Sequence, residues 1–190
     1  MFPAPFAALL DACVLYPFTL RDTLLRCAER DLYQLYWSDP ILREATRNLV
    51  KNGLMDDDKA ERLAQQMCDA FPAAMVDDFE DLILAMHNHE KDRHVAAAAV
   101  KAGAKVIVSF NVKDFKNLPS GYEVQSPDEF LCHQYDLNPD ALVSIIKEQA
   151  EDLRNPPHTP EEIASALSLL VPRFGKTMLA ALGASASPSI

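Results

Sequence analysis

Four carboxylates stand where a chain of this pattern could do chemistry: Asp11, Glu44, Asp92 and Asp114. Asp11 closes the short apolar run FAALLD (6–11), which reads as a buried strand. Asp114 follows the β-branched run KVIVSF, a second strand. Asp92 opens the alanine-rich helix that feeds that strand, and Glu44 lies one turn into another helix. In open parallel α/β sheets functional groups gather in the crevice outside the carboxyl ends of the strands, so Asp11 and Asp114 are expected there. Were all four to converge, the crowded carboxylates would repel one another, raise one or more pKa values and attract a cation. Hard divalent ions prefer such oxygen ligands. Each acid also has an ordinary explanation. Asp92 can serve as an N-cap, Asp114 as a turn residue, Glu44 as a partner of Arg43 or Arg47, and Asp11 as a strand-end acid. Position and spacing alone do not choose between these.

The elements that must position these acids are legible from caps and periodicity. After Pro17, TLRDTLLRCAERD places Leu20, Leu24, Leu25 and Ala28 at helical spacing with Thr19 as N-cap. Four further helix starts pair an N-cap residue with proline: Asp39-Pro40, Ser126-Pro127, Asn138-Pro139 and Thr159-Pro160. SPDE and TPEE are also capping boxes. The helix from Pro40 carries Ile41, Ala45, Leu49 and Val50 on one side and ends near Gly53, and a further helix over DDDKAERLAQQMCDAF is stopped by Pro72. Residues 91–115 form a helix, a glycine stop and a strand. GYEVQS adds a last strand. Such alternation implies a parallel sheet with helices on both faces. Beyond about residue 135 only helical segments follow, broken at RNPPHTP. The expected division is 1–132 for an α/β domain, 133–183 for a helical C-terminal appendage and 184–190 for a disordered tail.

At 190 residues the chain fits one domain with an appendage. No 18-residue apolar run and no signal-peptide pattern occur, which predicts a cytoplasmic protein without a membrane span. Cys13, Cys27, Cys68 and Cys132 are scattered without a Cys-x-x-Cys pair, so they are expected to be reduced and mostly buried. Net charge of −10 disfavours binding of polyanions over the whole surface. The basic residues are placed to soften this. Arg21, Arg26, Arg43, Arg47, Lys91, Arg93, Lys113 and Lys116 lie close in sequence to the four acids, while Asp136, Asp140, Glu148, Glu151, Asp152, Glu161 and Glu162 fall in the tail.

The segments LLDACVLYPFTLRDTLL, WSDPILREATRNL and KDRHVAAAAVKAGAKVIVSFNVKDF resemble three successive signature blocks of the PIN-domain family, particularly the bacterial VapC-type toxins. The resemblance covers residues 6 to about 130, and its last block is the most specific. It implies a three-layer α/β/α PIN-like fold with a central parallel sheet of about five strands. It implies also an acidic pocket that binds Mg2+ or Mn2+ to hydrolyse RNA phosphodiesters, leaving a 3′-hydroxyl and a 5′-phosphate. By resemblance Asp11, Glu44 and Asp92 match the three acids that define the family pocket. Asp114 with Asn111 matches the more variable fourth position, and Ser109 a small hydroxyl residue at the strand end. Arg21 and Asp22 lie near the pocket mouth by the same resemblance, with an ion pair as the competing explanation. Arg93 and His94 stand beside Asp92 where many relatives carry further acids, so the number of ions stays open. The implied partners are an RNA substrate, a cognate antitoxin protein and a second copy of the chain.

His87 and His89 lack a third ligand at zinc spacing and read as surface residues. His94, in the first turn of the Asp92 helix, could orient a carboxylate or touch phosphate, with packing or helix-surface solvation as the favoured explanation. Tyr16, Phe18 and Trp37 are candidates for stacking on bases or for packing. Two rival functions remain: a PIN-like module that binds without cleaving, and a receiver-type aspartate phosphoacceptor. The second needs an acidic pair before its first helix, whereas Asp11 stands alone.

Overall fold

The computed structural model describes residues 6–185. The element order is β1 (Ala7–Leu10), α1 (Ala12–Leu15), α2 (Phe18–Glu29), β2 (Gln34–Tyr36), α3 (Asp39–Lys51), α4 (Asp57–Ala70), α5 (Glu80–Ile83), α6 (Arg93–Ala102), β3 (Val106–Val108), β4 (Glu123–Gln125), α7 (Pro127–Leu137), α8 (Pro139–Asp152), α9 (Pro160–Ser168) and α10 (Pro172–Ser185). Two compact units result. The first comprises residues up to Pro17 with Tyr33–Ser126, and the second Phe18–Leu32 with Pro127 onward. The boundary expected between 132 and 133 lies within α7. Helix α10 runs to Ser185, so 184–185 are helical, and the rest of the expected disordered tail lies outside the described residues.

The first unit is an α/β fold on a parallel sheet of four strands, ordered β2-β1-β3-β4. About five strands were expected. The missing one is reduced to a single parallel bridge, Trp37 to Met75, where Trp37 N–H donates to Ala74 O (3.0 Å) and Val76 N–H to Trp37 O (2.9 Å). Chain connections leave β1 toward β2 on one side and β3 toward β4 on the other, so the strand order reverses between β1 and β3. That reversal opens a crevice at their carboxyl ends.

Helix α6 packs on β1 and β3. Ala96, Ala97, Ala98 and Ala99 are almost fully buried, and their small side chains let the helix lie close to the strands. Gly103, at φ 68°, ends it with its N–H on the carbonyls of Ala99 and Val100. This left-handed cap suits a residue without Cβ. Because α6 then turns back into β3, its N-terminus, with Asp92, points to the carboxyl end of that strand. Helix α3 starts just after β2 and buries Ile41, Leu42, Ala45 and Leu49. Its N-cap is Ser38 rather than Asp39, which is the first helical residue and forms an ion pair with Arg43 instead.

In the second unit α2 packs on α8 and α9. Thr19 is not its cap, since the helix begins at Phe18 and the Thr19 carbonyl accepts the Gln149 amide (3.1 Å). Gln149 is fully buried and also accepts the Thr23 hydroxyl (2.9 Å), so α2 joins the C-terminal helices through a satisfied polar pair. Asn138 caps α8, and Thr159 with Glu162 forms the expected capping box of α9.

Candidate active site

The crevice between β1 and β3 is built from main chain outward. Asp11 N–H continues the ladder onto Val108 O (3.1 Å), and Ser109 N–H onto Gln125 O (3.0 Å). Both side chains therefore emerge at neighbouring strand ends. Asp11 is 4% exposed; its Oδ1 accepts the Ala12 N–H (2.7 Å) and its Oδ2 accepts the Ser109 hydroxyl (2.6 Å) and the Cys13 thiol (3.1 Å). Ser109 Oγ in turn accepts Asn111 N–H (3.0 Å), and Cys13 Sγ accepts Phe110 N–H (3.3 Å). The carboxylate is thus held by donors from both strand ends. Burial, and then the charge of Asp11, push the Cys13 thiol up to about 12, so it stays a donor at neutral pH.

Asp92 occupies the N-cap position of α6 but makes no capping bond, because the preceding 3-10 turn (Glu90–Asp92) holds it at φ −106°, ψ 7°. The ordinary explanation of this acid thus fails. Its carboxyl is raised above the usual range by burial, then by the charges of Asp11 and Asp114, against a smaller opposing pull from His89 and His94. Asp114 lies in a 3-10 turn (Val112–Phe115), fixed by its N–H on Asn111 O (2.8 Å), while its own carbonyl accepts His89 N–H (2.8 Å). That last bond ties the Asp92 segment to the Asp114 turn. Three carboxylates from β1, α6 and the turn after β3 consequently share one electrostatic field. Among the described residues, no three acid, histidine or cysteine side chains stand as a ready-made metal cage.

A sequence model of the PIN domain matches residues 7–113. The chain belongs to the PIN-domain family. A second model, described as the VapC50 C-terminal domain, matches residues 127–179. Over 99 residues the chain is 42% identical to the Mycobacterium tuberculosis protein named "Putative ribonuclease VapC50", a match that spans 50% of this chain and 59% of that protein. The PIN match takes in Asp11, Glu44 and Asp92 and stops one residue short of Asp114.

Within this PIN domain the expected site residues divide. Asp11, Ser109, Asp92 and Asp114 come together as described. Asn111 contributes its main chain to the turn, and its side chain is exposed. Glu44 lines a cavity of about 340 Å3 with Asp39, Pro40, Arg43, Arg47 and His94. His94 Nδ1 donates to Lys91 O (2.9 Å). Arg93 Nε donates to Asn88 O (3.4 Å). Arg21 and Asp22 belong to the second unit, where Asp22 pairs with Arg26 (3.0 Å) and the buried Arg21 lies over the Phe18 ring (5.7 Å). Arg26 and Arg30 are also bound by the tail acids Asp152 and Glu148. Trp37 is fully buried against Phe71 and is no open stacking platform, while Tyr16 is half-buried and accepts the Asn52 amide at its hydroxyl (3.2 Å).

Sequence reasoning missed Cys13. All four cysteines are free, but only Cys27 is buried, and Cys13 serves the carboxylate two residues before it. That spacing was its only signal.

Proposed function

We propose that this chain is a divalent-cation-dependent endoribonuclease and the toxin of a toxin-antitoxin pair. The observation that carries the proposal is the placement of Asp11, Asp92 and Asp114 at the strand-order reversal, with the uncapped Asp92 carboxyl raised by burial and then by the charges of the other two. Likeness to a protein named as a ribonuclease supports the choice of RNA.

The donor set fits a hard ion. It consists of carboxylate oxygens, which suit Mg2+ or Mn2+, ions held by few protein ligands together with water and substrate phosphate. Asp11 and Asp92 would hold it, with Asp114 at its rim. When bound it would lower the pKa of a water and stabilise charge on the attacked phosphate. Asp11 is kept in place by Ser109 and Cys13. Glu44 and His94 line a cavity beside the N-terminus of α6, where they would meet substrate phosphate. An RNA substrate, an antitoxin that covers the acidic centre and a second copy of the chain are the partners implied.

The purified chain should cleave RNA in Mg2+ or Mn2+ and stop when the ion is chelated, and Asp11→Asn or Asp92→Asn should lower the rate by at least ~100-fold. Undiminished cleavage by both variants would sink the mechanism, and RNA binding without cleavage by the unmodified chain would identify a non-cleaving module.

A further inference from the structure

We infer that the cations of α3 form the track along which a single RNA strand enters the acidic centre; this rests on the ribonuclease function proposed above. Arg43, Arg47 and Lys51 recur every four residues. They therefore lie on one face of α3, about 6 Å apart along its axis. All three are exposed and line a groove of about 760 Å3 between α3 and α4, over apolar side chains such as Leu42, Val50 and Met75. Arg43 and Arg47 also line the cavity that holds Glu44 and His94, so the groove and the cavity adjoin at these two arginines. His94 stands in the first turn of α6, whose N-cap position Asp92 occupies. The row leads toward the carboxylates rather than past them.

Charge selects the occupant. With a net charge of −10 most of the surface repels a polyanion, and a row of cations ending at the site is where one can approach. Arg47 and Lys51 have no ion-pair partner among the described residues, while Arg43 is shared with Asp39. Guanidinium forks match phosphate oxygens two at a time. Asp57 and Glu61 on the α4 wall hold the backbone to the α3 side, leaving the bases above the apolar floor.

The test uses the full chain carrying Arg47→Ala with Lys51→Ala, the charge-reversed pair Arg47→Glu with Lys51→Glu, and Lys101→Ala as a control on the exposed end of α6. Binding of a labelled single-stranded RNA to each, in an Asp11→Asn background, is followed by anisotropy from 50 to 200 mM salt, and KM is measured with Asp11 intact. Each lost phosphate contact should flatten the dependence of log K on log salt by about 0.7, so the alanine pair should flatten it by about 1.4 and raise KM by roughly tenfold. The reversed pair should go further and Lys101→Ala should match the unmodified chain. An unchanged slope and KM in both pairs, with the unmodified chain cleaving normally, overturns the track and leaves the ribonuclease function standing. Failure of the unmodified chain to bind or cleave RNA overturns both. Unchanged RNA behaviour with lost binding of a poly-glutamate peptide assigns the row to an acidic protein and overturns it as well.

Discussion

Cys13 and Asp92 show how neighbours set the behaviour of the site. The Cys13 thiol gives Asp11 a donor and gives Phe110 N–H an acceptor. Cys13→Ala removes both, each such bond being worth about 0.5–1.5 kcal/mol, whereas Cys13→Ser keeps both with a shorter reach. Urea unfolding and RNA turnover should therefore show a loss for alanine that serine largely restores; equal loss for both would mean that volume, not the bonds, holds Asp11. Asp92 behaves oppositely. Its carboxyl is raised in the fold, so between its ordinary and its raised pKa the folded chain retains a proton that the unfolded chain has released, and stability falls as pH rises through that window. Asp92→Asn should thus melt higher than the unmodified chain at neutral pH in metal-free buffer. The gain should vanish as pH drops below the ordinary carboxylate value, and melting curves from pH 3 to 8 check it. A gain independent of pH would show that the charge of Asp92, buried and set beside Asp11 and Asp114, is not its source.

Helix and strand lengths explain which elements could be read from the chain. The alanine face of α6, its glycine stop and the run into β3 are strong local signals, and they appear where expected. Strand β2 has three residues with an exposed-buried-intermediate pattern, and its neighbour is a single bridge at Met75, so neither has enough alternation to show in sequence. Close packing leaves a testable mark on the second unit. A Cβ at Gly175 of α10 would lie 2.3 Å from Ser168 Oγ and 2.5 Å from its N and Cα, at the end of α9. Gly175→Ala should cost about 1–3 kcal/mol because backbone must move. Gly183, with nothing within 4 Å, should accept alanine without loss or with a gain of about 0.5–1 kcal/mol. Equal effects in chemical denaturation would refute the close approach.

At the scale of the whole molecule the balance of charge and the two units matter. The tail acids Glu148 and Asp152 engage Arg30 and Arg26 inside the second unit, which removes these two arginines from the cations open to a polyanion and leaves Arg47 and Lys51 of α3 among those without an ion pair in the described residues. An ion that binds the folded chain alone should raise its stability, by about 2.7 kcal/mol at one hundred times its Kd. Melting with and without Mg2+ or Mn2+ should show that rise for the unmodified chain and a smaller one for Asp11→Asn and Asp92→Asn; identical rises would place the ion elsewhere. The two matched segments, 7–113 and 127–179, follow the chain, whereas the compact units interleave it by assigning α2 to the C-terminal helices. Sequence alone determined the α/β class, the caps of α8 and α9, and the placement of Asp11 and Asp92 at element ends, because caps, glycine stops and apolar periodicity act over a few residues. Tertiary structure decided the rest. It grouped Asp114 with Asp11 and Asp92, set Glu44 across a cavity beside His94, and turned Cys13 toward Asp11, since these depend on strand order and on hydrogen bonds between residues as many as 98 positions apart. The carboxylate cluster is legible as residue types, and it becomes a site only where the order of the strands reverses.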